Sequence, residues 1–489
     1  MVDVNAGDVC DECIEDRRQN HLVNEDEGNL NQGTQDEVIQ EEGSTNRMGT
    51  VSSACFNLLS TMVGGGSLSL PLAFQQAGNG LIGPLLLLVS AMITDFCFRI
   101  LVASSPKPNA FRRGHDSFES IAFSAFGSKA RIISTLLVYF MCFFGTVGYA
   151  VLLRDMLEPL SDAVWPDGSR FTRNLGMLLV VILVTPLCGL ENLSSLENFG
   201  ATSMVSVLIL GTCVIIRSFQ CVVRTGQWDV KLLPESPRML LNSLPLFVSC
   251  FVCHYNVHPV HNELKNPTPH RVSRWLRLTT WSAAAFYIAI GFSGSLYAAC
   301  TPDGHVTGNI LLSFENSDPL LFIGRMCLAL TITLAFPMLT IPARDIVIRS
   351  WKKGANNNTM TDDNDLEEPL LENSDVRRLA LPDNTPEIST SLWTRLSVAT
   401  IVFWSGAAVA CCVSSIDVVW DLLGSSLSIL LSILIPCGSY LVLVSEGDNT
   451  LSRVVCFTLL GVFVPLMFIS TWNAIMNTFF IQFLPDFLN

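Results

Sequence analysis

The chain has 489 residues, of which 49% are hydrophobic and only 15% charged, and its mean hydropathy is +0.43. That balance excludes an ordinary soluble enzyme and describes a chain built mostly of apolar segments. The formal charge of −14 is concentrated in two places: residues 1–48 hold 13 Asp/Glu against 3 Lys/Arg, and residues 350–392 hold 9 against 4, which leaves the remainder at +1.

Residues 1–48 come first in the chain. They are rich in Asn, Gln, Asp and Glu and poor in aromatics, so they bury too little surface to offset chain entropy and are expected to be a disordered acidic cytoplasmic tail. A second such segment is expected over 347–392. It separates helices 1–8 (49–346) from helices 9–11 and a short C-terminal tail (393–489). Cys10 and Cys13 make a lone CxxC without the His or second Cys pair that a zinc site needs.

A hydrocarbon core of about 30 Å calls for roughly 20 apolar residues in helical form. Eleven candidate spans fit, near 51–76, 80–103, 131–157, 174–193, 196–218, 239–261, 276–299, 318–346, 393–413, 415–445 and 451–475. The first 48 residues lack an apolar h-region, so the first span is expected to act as its own signal and to leave the tail in the cytoplasm. Counting Lys and Arg under that orientation puts 21 inside against seven outside, with Arg325 within a helix, which favours this topology over its inverse.

The first span contains Gly64-Gly65-Gly66-Ser67, followed by Pro71. Each glycine in a helix interior costs about 1 kcal/mol relative to alanine, so the run invites a break. A break at that depth exposes backbone N–H groups that suit a carboxylate, whereas small residues can equally serve close helix packing. Span six carries His254, Asn256 and His258 between Pro245 and Pro259. Polar groups there are costly in lipid and should face the protein interior. Disruption of the first and sixth helices matches a five-plus-five inverted repeat.

Other features are weaker. The segment 115–128 spaces Phe118, Ile121, Ala122 and Ala125 as an amphipathic helix lying on the membrane would. Arg154 and Asp155 are expected to snorkel to the interface, and Arg325 to pair with an acid such as Asp417 or Asp421. Cys221 and Cys300 fall on the expected exterior, where a disulfide is permitted. The sequons at Asn192 and Asn357 and the di-leucine in 365–373 fall on the expected cytoplasmic side. His258, His261 and Glu263 could mimic a metal set, though a helix exit is the simpler reading, and no enzyme signature such as HExxH or GxSxG is present.

FNLLSTMVGGGSLSLPLAFQQAG (56–78), LPLFVSCFVCHYNVHPVHNEL (244–264), LTITLAFPMLTIPARDIV (330–347) and DVVWDLLGSSLSILLSILIPCGSYL (417–441) resemble the first, sixth, eighth and tenth helices of the amino acid/auxin permease family. The likeness extends to its sodium-coupled neutral amino acid branch and to vacuolar amino acid transporters. It implies an all-α, LeuT-like fold and cation-coupled amino acid transport by alternating access. By position, substrate would sit against Gly64, Gly65, Gly66 and Ser67, facing Cys253, His254 and Asn256. A sodium site would use the carbonyls of Ser60 and Val63 and the hydroxyl of Thr333, with Thr331 pointing to nearly the opposite face. The sodium-coupled branch carries Asn where Ser60 stands, so a proton, with His254 as carrier, is an equal candidate. No cofactor is implied beyond the coupling ion. The partners implied are an amino acid, the bilayer and a regulator at the acidic tail. The competing reading is a membrane sensor that binds amino acid without net transport.

Overall fold

The computed structural model describes residues 49–105, 117–164, 170–190, 197–315, 318–359, 391–413, 415–444 and 450–483. The acidic tail, most of the acidic loop, Asn192 and the di-leucine lie outside them. The described residues form helices and contain no strand; one isolated bridge pairs Gly49 with Leu264.

The first pass is two short helices, α1 (Val51–Met62) and α2 (Leu70–Ala77), joined by a 3-10 turn over Gly65–Ser69. Thr50 caps α1 by accepting from Ser53 N–H, and Pro71 sits in the first turn of α2, where its missing N–H costs nothing. Then come α3 (Ile82–Ala103), α4 (Phe118–Phe126), α5 (Ser128–Val164), α6 (Arg170–Val184) and α7 (Glu197–Thr225). The sixth pass repeats the broken design as α8 (Pro237–Ser249), a 3-10 turn at His254–Asn256, and α9 (Val257–Glu263). It is followed by α10 (Pro269–Leu296), α11 (Pro319–Thr359) and α12 (Leu392–Cys412). The tenth pass joins α13 (Ile416–Leu422) to α14 (Ile435–Leu443) through π-helical turns at Leu423–Ser428 and Leu430–Leu434, and α15 (Thr450–Phe483) ends the bundle.

Among the described residues, nine helical stretches are long and apolar enough to cross a membrane. Of the eleven spans expected, the first falls outside that set because its break leaves two pieces of 12 and 8 residues. The fourth falls outside because Asn174–Gly189 is short. Helix α11 also runs on to Thr359, past the expected boundary at 346. Its start is fixed by Asp318, whose carboxylate accepts from Leu320 N–H at 2.9 Å, followed by Pro319 at the first helical position.

Three expectations change on contact with the structure. The apolar side of α4 faces the bundle and not the membrane: Phe118, Ile121 and Ala122 are buried, while Phe123 and Phe126 are exposed, because α4 packs beside α5 and α14. Arg154 and Asp155 do not snorkel; both are buried, at 4% and 5% exposure. Arg154 donates to the carbonyls of Ala410 and Val413 at the end of α12, and Asp155 lies 3.6 Å from its guanidinium and receives Asn309 Nδ2 at 3.4 Å. Arg325 pairs with neither Asp417 nor Asp421. The 3-10 turn at Ile310–Ser313 folds over it, and Arg325 donates to the carbonyls of Leu311 and Phe314 at 2.8 and 3.4 Å.

The two ends of the bundle are tied differently. At one end Cys221 and Cys300 form a disulfide that joins the last turn of α7 to the 3-10 turn Tyr297–Cys300 that follows α10. At the other, the backbone just ahead of α1 pairs with the exit of α9: Gly49 N–H donates to Glu263 O and Lys265 N–H to Gly49 O, each at 2.9 Å. Arg344 is buried there and donates to the carbonyls of Cys188 and Leu190, closing the short fourth pass.

Candidate functional site

The two broken helices meet at mid-bundle. After Met62 the α1 ladder stops, since Val63 N–H still reaches Leu59 O at 2.7 Å but Gly64 N–H turns back to Met62 O at 3.1 Å. Ser67 then starts the next turn, its N–H and its hydroxyl both donating to Gly64 O at 3.1 and 2.8 Å. Glycine at 64 is imposed by a close approach: a Cβ there would lie 2.4 Å from the Tyr149 hydroxyl of α5. A Cβ on Gly65 would lie 3.4 Å from the same ring.

From the other side, Cys250 at the end of α8 points its thiol at Gly66 O, 3.5 Å away. The Tyr287 hydroxyl of α10 lies 2.7 Å from Met62 O and 2.8 Å from Cys250 O, so one buried O–H serves a carbonyl freed by each break. Ring contacts support it, with Phe251 edge-on to Tyr287 at 5.3 Å.

Gly64, Gly65, Gly66 and Ser67 thus line the first break, and Cys250 rather than Cys253 is the sulfur that faces them. Cys253 and His254 are fully buried on the second break, where the His254 ring lies 4.5 Å from Phe98 and neither ring nitrogen has a hydrogen-bond partner. Asn256 precedes α9 and is half-buried, its N–H donating to Cys253 O at 2.9 Å. Of the sodium set, Ser60 Oγ donates to Asn57 O at 2.9 Å, Thr333 Oγ1 donates to Ala329 O at 2.6 Å, and Val63 caps α1. Both hydroxyls retain lone pairs that a hard cation could use, but no described contact joins the three. Among the described residues, no three His, Cys, Asp or Glu side chains converge as a metal site, His258, His261 and Glu263 included.

The tenth pass completes the surroundings. A Cβ on Gly424 would lie 2.2 Å from Pro245 O, so the π-helical turn and α8 touch backbone to backbone. Widened turns of this kind recur at functional sites. The freed Ser425 carbonyl accepts from Thr471 at 3.1 Å on α15.

Tyr149, Tyr287 and Cys250 were not singled out from the sequence. The available signal was a tyrosine following Gly145 and Gly148 in α5, and the lone hydroxyl of the apolar stretch 283–292 in α10.

A family model described as transmembrane amino acid transporter protein matches residues 47–476, which include every helix that forms the two breaks. The chain belongs to that family. Vacuolar amino acid transporter 5 of Schizosaccharomyces pombe is 27% identical to it over 313 residues, covering 63% of this chain and 72% of the relative. Putative sodium-coupled neutral amino acid transporter 11 of Mus musculus is 27% identical over 304 residues, covering 60% and 64%. Among solved structures, MhsT in complex with L-phenylalanine superposes with a TM-score of 0.56 at 11% identity, covering 86% of this chain and 98% of that one. The inward-facing conformation of Mhp1 gives 0.53 at 10% identity, covering 88% and 90%. The fold of this family member is therefore the LeuT-like multi-pass bundle, with helices one and six broken as the sequence expected. It is a transporter family, not an enzyme family.

Proposed function

We propose that this protein moves amino acids across a membrane by alternating access, driven by a cation gradient, with neutral amino acids as the substrate class. The observation that carries the reading is the meeting of two interrupted helices at the Tyr287 hydroxyl, which leaves backbone polar groups at mid-membrane depth. Such groups are tolerated there only where they line a protein interior or a ligand site. The substrate carboxylate and amine would sit against the backbone of Gly64, Gly65, Gly66 and Ser67, with the remaining contacts supplied by the second break around Cys253, His254 and Asn256. The coupling ion is sodium at Ser60, Val63 and Thr333, or a proton.

The Cys221–Cys300 disulfide supports placing its end of the bundle in an oxidising compartment, because cytosolic thiols are kept reduced. That supports a cytoplasmic position for the opposite end, where Gly49 pairs with Glu263 and the acidic tail begins. The membrane is the plasma membrane or that of a vacuole or lysosome.

Reconstitution into liposomes with a panel of labelled amino acids, under separate sodium and proton gradients, tests the reading. Uptake driven by one gradient supports it and names the ion, and no gradient-dependent uptake of any amino acid would overturn it.

A further inference from the structure

At the disulfide-bearing end of the bundle lies a cavity of about 270 Å³ that the site above does not include. A water molecule's share of liquid volume is about 30 Å³, so the space accommodates several waters or a small solute. Its polar walls come from four elements: Gln76 from α2, Arg238 and Asn242 from α8, Asp417 and Asp421 from α13, and Asn477 from α15. Leu72, Leu246 and Val418 supply its apolar lining.

The charges in this cavity are arranged by sign. Arg238 donates to Asn477 Oδ1 at 2.9 Å, and Asn477 Nδ2 reaches Asn242 Oδ1 at 3.3 Å, so the guanidinium is held at one wall by an amide chain. Asp417 and Asp421, which line the same cavity, are four residues apart on α13 and share a face. Asp417 accepts from the Ser415 hydroxyl. Two buried acceptors in the same cavity, Asp421 Oδ1 and Gln76 Oε1, have no hydrogen-bond partner at all. Leaving such groups unpaired is costly, and a carboxylate more so than an amide, so the pair is built for a donor that comes from outside the protein. The other charged pair near α13, Arg154 and Asp155 on α5, is occupied with itself and with the α12 carbonyls.

We propose that this cavity is an outer binding site for a zwitterionic amino acid, its primary ammonium on Asp421 and Gln76 beside Asp417 and its carboxylate on Arg238. The proposal rests on the transporter reading and goes beyond it: it adds a recognition step, at the oxidising end, before substrate reaches the broken helices. A primary ammonium offers three N–H donors, which suits unpaired acceptors that two helices contribute to one cavity.

The test uses the full chain and two readouts. In liposomes, Asp421→Asn is expected to raise the KM for whichever amino acid the wild type takes up by about tenfold to hundredfold, the range for a hydrogen bond to a charged group. The maximal rate should change far less. In detergent, ethylammonium chloride is expected to raise the melting temperature of the wild type, whereas tetramethylammonium chloride, which carries the charge but no N–H donor, should not. Asp421→Asn should lose the ethylammonium effect. Arg238→Gln should keep it while still raising the amino acid KM, and it also serves where Asp421→Asn fails to fold. An unchanged KM in both variants overturns the proposal. So does equal stabilisation by the two ammonium salts, or stabilisation by sodium over choline that Asp421→Asn abolishes, which would assign the cavity to a metal cation. If the wild type takes up no amino acid while ethylammonium still binds through Asp421, the transport reading fails and the ammonium site stands.

Discussion

Tyr287 and Cys250 meet where the two interrupted helices cross: the phenol lies 2.8 Å from the Cys250 carbonyl and, at the same oxygen, 2.7 Å from that of Met62. A hydroxyl shared between two freed carbonyls couples the breaks, so movement of either half-helix must release or carry the other. Replacing Tyr287 with Phe keeps the ring packing and leaves both carbonyls without this donor. Met62 O would still accept from Gly64 N–H, so the cost expected is about 1–3 kcal/mol, chiefly for the Cys250 carbonyl. A lower melting temperature together with reduced uptake would agree; wild-type values of both would show that the bridge is idle.

Gly64→Ala is expected to abolish uptake, because the new Cβ would lie 2.4 Å from the Tyr149 hydroxyl. The next ring atom is 3.4 Å away, so Tyr149→Phe in the same chain removes the overlap and should restore part of the activity. Absence of any rescue would place the fault in the backbone conformation at 64 and not in the contact.

The disulfide between Cys221 and Cys300 closes a sequence separation of 79 residues. On the chain-entropy account, a loop of that size contributes about 4.5 kcal/mol. Cys221→Ser should therefore melt well below the wild type, and reductant should lower the wild type to the same value while leaving the variant unmoved.

Buried Arg154 holds two helix-terminal carbonyls and a buried Asp155. Arg154→Ala removes the guanidinium from all three while Asp155 keeps its bond from Asn309, and loss of one partner of a buried ion pair costs about 3–5 kcal/mol. Poor recovery of folded protein after purification is the expected outcome, measured against Arg154→Lys.

Asp318 immediately precedes the apolar stretch that begins at Pro319; partial burial alone would raise its carboxyl, but its ion pair with Arg217 at 2.6 Å and the N–H groups of Leu320 and Leu321 bring it below the usual value. A depressed folded value means that the stability it contributes is present above the unfolded carboxylate value and is lost as pH falls through the folded one. Asp318→Asn should thus destabilise the protein near neutral pH, with a penalty that shrinks as pH falls below the ordinary Asp value of about 3.9. An equal penalty at neutral and at acid pH would contradict the assignment.

Much of this architecture was legible because its signals are local. Three consecutive glycines and a Pro-flanked His and Asn are costly in an unbroken apolar helix, and their places in the first and sixth spans let both interruptions be expected from sequence. What depended on tertiary neighbours was not legible. Nothing near Arg325 in sequence says that the turn at 310–313 will fold over it, nor near Arg154 that the end of α12 will receive it. The thiol facing Gly66 is Cys250, three residues before the one expected, because the chain turns at Cys250–Val252 before the second break begins. The inward face of α4 was similarly hidden, since an apolar stripe reads alike whether it meets lipid or a neighbouring helix.

The most direct test of the account is concentrative uptake. With the full chain in sealed liposomes and an imposed sodium or proton gradient, a labelled neutral amino acid is predicted to accumulate inside above its outside concentration and to leak back when an ionophore collapses the gradient. Binding of the same amino acid with no accumulation under either gradient would contradict it.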